Sequence, residues 1–444
     1  MEERLLREIN RSNPWWIREK EKVEEYKRKQ FTEIASYLKK RQIIGIVGLR
    51  RVGKTVMMKQ LINLLLKEIP PENILFFTFE DEWNKKEILE EILYYHLENK
   101  SKDGKRFIFL DEIQLVEGWE YVLKRFYDRE QNIKFIVSGS ASLSITKSIE
   151  SLAGRIYDFV LYPLTFHEFL ELNELNLDYK KVEKFNEYKK LYDKIIYLKE
   201  RILHLFSEFI IRGGFPEISK EINMEVIRKY IKNSVVEKIV LKDIPKEFEV
   251  RKIDILEGIV KYAARETSKL YTIKNMSMLL KTDKETISNY LNYLEKSFII
   301  YTIYNYSKSA TKQLRTNKKL HILPSVAIAL ENYSNDILNY PELVGNYIES
   351  LIAIYGSYVK ERVFFWRTPQ KDEVDIVLKN KQIIPVEVKY QNQITKNDFG
   401  SLIKFMDKFK LREGILVTKS LLKEEIIEGK KIMFIPAWLF LLAF

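Results

Sequence analysis

Between Ile43 and about residue 170, short apolar runs alternate with amphipathic stretches. Residues 43–47, 74–79, 107–110 and 135–137 are apolar almost throughout. Strands of that composition suit a sheet covered on both faces, so the runs predict buried parallel strands with helices as crossovers. Residues 1–40 are charged and helical in pattern, and residues 171–250 are mostly helical, broken at Gly213-Gly214-Phe215-Pro216. Residues 256–265, 273–280 and 283–296 predict three helices. The third has an apolar stripe of Ile287, Tyr290, Leu291 and Leu294, with Thr282-Asp283-Lys284-Glu285 as its capping box. A β-rich stretch over 298–306 and a basic loop follow. From residue 331 a helix leads into strand alternation, and the apolar 438–444 reads as a buried final strand.

At 444 residues, length alone suggests roughly three domains. The absence of Cys removes disulfides, thiolate metal sites and Cys nucleophiles, and fits a reducing cytoplasm. Four His make a His-rich metal centre a poor expectation. A net charge of +12 points to polyanions, nucleic acid or anionic lipid, or else to a Lys-rich solvated surface. No apolar run approaches the roughly 20 residues a membrane helix needs, and the charged start carries no secretory signal. The expected location is the cytoplasm.

Gly48-Leu49-Arg50-Arg51-Val52-Gly53-Lys54-Thr55 matches G-x-x-x-x-G-K-[ST] in full, between an apolar strand and a helical stretch. The glycines let backbone N–H groups curl around phosphate oxygens, and the helix N-terminus adds partial positive charge. Lys54 is expected on the β- and γ-phosphates of ATP and the Thr55 hydroxyl on Mg²⁺. Some 55 residues on, Phe107-Ile108-Phe109-Leu110 ends in Asp111-Glu112. Carboxylates at the C-terminal end of a buried strand lie where open α/β sheets bind ligands. Asp111 would hold Mg²⁺, and Glu112 would orient or deprotonate the attacking water. Ser138 or Ser140, after the strand at 135–137, is a further candidate for the γ-phosphate or the water.

These motifs, with Ser138-Gly139-Ser140, Ser151-Leu152-Ala153-Gly154-Arg155, the run Tyr162-Pro163-Leu164-Thr165-Phe166-His167-Glu168-Phe169 and Arg212-Gly213-Gly214-Phe215-Pro216-Glu217, occur in one order. Together they resemble the prokaryotic AAA-type ATPases of archaea and bacteria that carry a C-terminal domain of uncharacterised role. The resemblance spans nearly the whole chain. It implies Arg155 as an arginine finger, in cis or from a neighbouring subunit, and the Gly-Gly-Phe-Pro segment as part of a lid.

Two further constellations stand downstream. Helix, turn, helix and a two-stranded wing rich in Lys308, Lys312, Arg315, Lys318 and Lys319 is a winged-helix pattern. Lys284, Ser288, Asn289 and Asn292 lie off the apolar stripe of its third helix, and the basic wing would meet phosphate. The alternative is a winged helix used only for packing or regulation. Last, Glu349, Asp375, Glu387 and Lys389 follow in an order that resembles the PD-(D/E)XK nuclease core. Glu387 and Lys389 share a strand face. A three-residue turn at Asn380-Lys381-Gln382 would set Asp375 opposite Glu387, a two-residue turn would put Val386 there, and Pro385 invites a bulge. If active, Asp375 and Glu387 would bind Mg²⁺ or Mn²⁺, Glu349 would complete or buffer the metal site, and Lys389 would position the attacking hydroxide or stabilise the phosphorane-like charge. If not, the fold serves interaction alone.

The expected class is α/β: an N-terminal helical segment (1–30), an AAA-type P-loop core with a parallel sheet (31–170), a helical lid (171–250), a winged helix (251–330) and a restriction-endonuclease-like α/β domain (331–444). The leading expectation is ATP hydrolysis coupled to conformational change, with DNA as partner. The alternatives are a nucleotide-switched DNA-binding regulator that does not cut and a signalling ATPase with a protein partner. Self-association is compatible with each, and no membrane is expected.

Overall fold

The computed structural model describes residues 2–443 apart from 18, 20, 80, 140–151, 180, 181, 183, 310–312, 314–316 and 359–361. The chain forms two compact units, residues 1–162 and 163–444. No helix among the described residues is long and apolar enough to cross a membrane.

The first unit is built on a five-stranded parallel sheet in the order β2-β3-β4-β1-β5. The strands are β1 (Ile43–Val47), β2 (Ile74–Thr78), β3 (Arg106–Asp111), β4 (Ile133–Gly139) and β5 (Ile156–Val160). β1 and β4 are buried along their whole length, as their apolar sequences require. The order places the C-terminal ends of β3, β4 and β1 side by side, with Val47 opposite Gly139. The N-terminal helix α1 (Glu3–Ser12) leads into Asn13, which covers the free edge of β2. Its side-chain amide donates to Phe76 O at 2.9 Å, and its carbonyl accepts from Phe76 N at 2.6 Å. Trp15 and Trp16 each donate an indole N–H to Ile74 O at 3.0 Å. Side chains thus satisfy a strand edge that would otherwise present unpaired groups.

The second unit holds a nine-stranded sheet, ordered β13-β14-β12-β11-β10-β9-β7-β8-β6. Helices α4 (Ile253–Arg265), α5 (Ile273–Leu279) and α6 (Lys284–Lys296) accompany β6 (Leu270–Tyr271), β7 (Tyr301–Asn305) and β8 (Lys318–His321). Asp283 alone caps α6, accepting from Thr286 N at 2.7 Å, in place of the expected Thr282–Glu285 box. Next come α7 (Pro341–Tyr358), β9 (Arg362–Arg367), β10 (Glu373–Lys379), β11 (Ile383–Lys389), α8 (Gly400–Phe409), β12 (Glu413–Thr418), β13 (Lys423–Ile427) and β14 (Lys430–Pro436). β7 pairs in parallel with β9 through Tyr304–Phe364 and Asn305–Phe365, so the strands on either side of residue 330 form one sheet. Asn305 and Arg367 reinforce the junction with two 3.0 Å hydrogen bonds.

The β10–β11 turn has the three-residue form: Lys379 faces Ile383 and Ile376 faces Val386. Pro385 pairs with Val377 without a bulge, and the irregularity falls instead between β10 and β9, at Val374–Val377. The apolar end of the chain is not a strand. Ala437–Leu442 is a buried helix that begins directly after Pro436. An apolar run with no alternation fits a buried helix as well as a buried strand, and here Pro436 ends β14 and turns the backbone.

Candidate functional site

The loop after β1 turns sharply because Gly48 adopts φ +150°, where an added Cβ would sit 2.1 Å from Leu161 O. Only glycine fits. Arg51 (φ +68°) and Gly53 (φ +98°) take left-handed conformations that curl the backbone before α2 (Lys54–Leu65) begins. Leu49 and Val52 point into the core, while Arg50 is half-buried and Arg51 exposed. Lys54 is buried, and its ammonium donates to Gly48 O at 3.0 Å and Leu49 O at 3.1 Å. The cation is thus held inside the curl of the loop.

Asp111 ends β3 beside this loop and is 1% exposed. Its Oδ2 accepts from Thr55 Oγ1 at 2.6 Å and its Oδ1 accepts from Ser138 Oγ. Burial pushes the Asp111 carboxyl above its ordinary range and the neighbouring Glu112 charge adds to this, while the Ser138 and Thr55 hydrogen bonds and Lys54 oppose it. A desolvated carboxylate against a hydroxyl is a hard-oxygen donor pair of the kind Mg²⁺ takes. The residues present therefore fit that ion. Ser138 is fully buried and its hydroxyl is committed to Asp111, so it supports that carboxylate rather than facing a phosphate. Ser140 lies outside the described residues. Glu112 has φ +53° and accepts from Gln114 Nε2 at 2.5 Å, a contact the sequence did not single out.

Arg155 is elsewhere. It immediately precedes β5, and its carbonyl accepts from Ile43 N at the start of β1. The phosphate loop begins at the other end of β1, five residues or roughly 16 Å away. The guanidinium instead grips Asp128, at the end of α3 (Trp119–Arg129), by Nε at 2.9 Å and Nη2 at 3.2 Å. The fold does not bring Arg155 to the phosphate loop of its own chain. A different arginine, with no motif around it, does reach that loop. Arg28 is 7% exposed and donates to Val52 O at 2.9 Å and to Tyr162 O at 2.7 Å. The extended stretch before it is held against α2: Gln60 donates to Glu24 O at 2.7 Å and to Tyr26 O at 2.8 Å.

In the second unit the fold gathers the four residues expected to form a nuclease-like site. Asp375 Oδ2 accepts from Val388 N at 2.9 Å, and Lys389 Nζ lies 2.8 Å from Glu387 Oε1. Glu349 projects from α7 into the same cluster. Its centre is occupied by a residue not expected there. Lys319 Nζ, from β8, lies 2.9 Å from Glu349 Oε1, 2.7 Å from Glu373 Oε1 and 3.6 Å from Asp375 Oδ1. Burial raises the Glu349 carboxyl well above its usual range, and Lys319 opposes that rise. Burial and then Asp375 push Glu387 up to about 8. Among the described residues, no group of three or more His, Asp or Glu is placed to hold a metal ion. As arranged, the cluster does not fit the expected divalent ion.

Lys319, like Lys318, is predicted from the sequence pattern to lie on an exposed basic wing. It is 2% exposed, and Lys318 stacks over the Tyr304 ring at 5.0 Å. Lys312 and Arg315 lie outside the described residues. Lys284, Ser288, Asn289 and Asn292 are all exposed on α6.

Comparison with known proteins follows the same division. Residues 40–170 match the family model described as an AAA domain. Residues 203–335 match a domain of unknown function (DUF8612), and residues 343–440 match another (DUF4143). An uncharacterised protein of Methanocaldococcus jannaschii is 26% identical over 414 residues, covering 89% of this chain and 84% of its own. One from Haemophilus influenzae is 26% identical over 416 residues, covering 89% and 93%. Among solved structures, the Aeropyrum pernix Orc1 protein in complex with DNA overlaps 72% of this chain and 95% of its own, at 12% identity and TM-score 0.33. Cdc6p from Pyrobaculum aerophilum overlaps 71% and 96%, at 11% identity and TM-score 0.32. The parallel sheet and the glycine-rich loop on β1 agree with the first match: residues 40–170 form an AAA-type P-loop domain, followed along the chain by matches to two domains of unknown function.

Proposed function

We propose that the chain is an Mg²⁺-dependent ATPase that works as a DNA-associated switch. The observation that carries the first part is the Thr55–Asp111–Ser138 chain of hydrogen bonds beside the phosphate loop. Bound Mg²⁺ would supply positive charge against the phosphate charge that develops during transfer. Thr55 and Asp111 are the residues to hold it. Lys54 would leave the loop carbonyls for phosphate oxygens, and backbone N–H groups of residues 49–54 would complete the cradle. Glu112, held by Gln114, would orient the attacking water. Phosphate release from ATP by the purified chain, dependent on Mg²⁺ and lost in Lys54→Ala, tests this reading. Equal turnover by the variant would overturn it.

The DNA part rests on the order α4, β6, α5, α6, β7, β8, which is that of a winged helix. It also rests on the exposed polar face of α6 and the net charge of +12. Duplex DNA should bind with an affinity that falls as salt rises, and no binding at low salt sinks the idea. The order α7, β9, β10, β11, α8, β12 supports a nuclease-like fold for the C-terminal part. Lys319 within its carboxylates favours a role without DNA cleavage in this conformation.

A further inference from the structure

We propose that Lys319 is the resident cation of the C-terminal acidic cluster, and that a divalent metal there and the seating of β8 on this sheet exclude each other. Carboxylates from α7 and β10 converge on the Lys319 ammonium at 2.7–3.6 Å, from three separate residues. So many desolvated anions do not gather without a cation among them. A divalent ion would have to approach the same oxygens to about 2.0–2.6 Å, which leaves no room for an ammonium in the same hollow. Two cations held within about 4 Å in a buried site repel strongly.

A second observation marks the hollow as made for more than one occupant. Glu387 is 5% exposed, and while its Oε1 is taken by Lys389, its Oε2 is buried with no hydrogen-bond partner among the described residues. An uncommitted carboxylate oxygen of this kind costs stability unless a cation takes it up. Lys319 cannot leave alone. It pairs with Ile303 on β7 and Leu270 on β6, and Leu320 beside it is fully buried. The ammonium departs only if the wing strand lifts. The cluster therefore reports where the wing lies: seated, it is closed to metal, and lifted, it presents Glu349, Asp375 and Glu387 to an ion. This competition does not depend on ATP hydrolysis.

The test uses full-length protein without nucleotide, in an Asp111→Asn background that removes the other Mg²⁺ position. Free Mn²⁺ is followed by electron paramagnetic resonance. The background protein should take up no Mn²⁺ that depends on Asp375. Adding Lys319→Met should create a site binding Mn²⁺ about tenfold tighter or more than the background, and Asp375→Asn should remove it again. The proposal is overturned if the background already binds Mn²⁺ and loses it with Asp375→Asn, or if folded Lys319→Met gains no site. Should Lys319→Met fail to fold, Lys319→Gln, which also removes the charge but keeps a polar end and every carboxylate, is held to the same two outcomes.

Discussion

Thr55 Oγ1 donates to Asp111 Oδ2 at 2.6 Å, tying the first turn of α2 to the last residue of β3. One hydrogen bond thus joins the two motifs that lie 56 positions apart. Asp111→Asn keeps the shape but removes the anion, and should lower ATP turnover on the order of 10²-fold. Thr55→Ala should raise the Mg²⁺ concentration needed for half-maximal turnover while leaving the fold intact. Steady-state phosphate release at varied Mg²⁺ checks both.

Arg28→Ala should weaken ATP binding more than turnover. The guanidinium fixes the carbonyl of Val52 inside the phosphate loop, so its loss frees the loop before the nucleotide arrives. The expected effect is a rise in KM of roughly tenfold, with kcat changed far less. A fall in kcat at constant KM would contradict this.

Arg155→Ala should leave the turnover of dilute protein unchanged, since the arginine lies at the N-terminal edge of the sheet and holds Asp128. If a neighbouring copy used Arg155, turnover would rise with protein concentration in the wild type and stay flat in the variant. Turnover against concentration separates the two cases. A loss at every concentration would contradict the geometry.

Lys134 gives a pH signature. It is fully buried on β4, its ammonium donates to Gln42 O, and burial, with a smaller push from Lys105, lowers its pKa to about 7. The unfolded chain titrates near the ordinary 10.5. Between those values the unfolded chain binds more protons, so stability from this group rises with pH from 7 towards 10.5 and is flat below 7. Lys134→Met should abolish that slope and melt higher at pH 7. Thermal melts of both proteins at pH 7 and 9 measure the difference.

The shape of the glycine-rich loop and the carboxylate beside it was legible because it is specified by contiguous residues. Gly48 to Thr55 specify a loop and a helix start by themselves, and Asp111 follows a strand that its own apolar residues announce. What was not legible depends on partners distant in sequence. Ser138 reads from sequence as a candidate for phosphate or water, whereas its hydroxyl donates to Asp111. Arg28 sits in an extended segment with no periodicity to single it out. Lys319 stood in a basic stretch, and only the pairing of β7 with β9 carries it into the acidic cluster. The closing helix Ala437–Leu442 was misread because an unbroken apolar run has no period to distinguish helix from strand.

The nine-stranded sheet has no seam where the two regions of unknown function meet. Severed between β8 and β9, each piece would carry a raw strand edge, β7 on one side and β9 on the other, with amides and carbonyls looking for a new neighbour. Such fragments would stick to one another or to copies of themselves rather than stand alone. The two regions are parts of a single folded object, sharing one sheet.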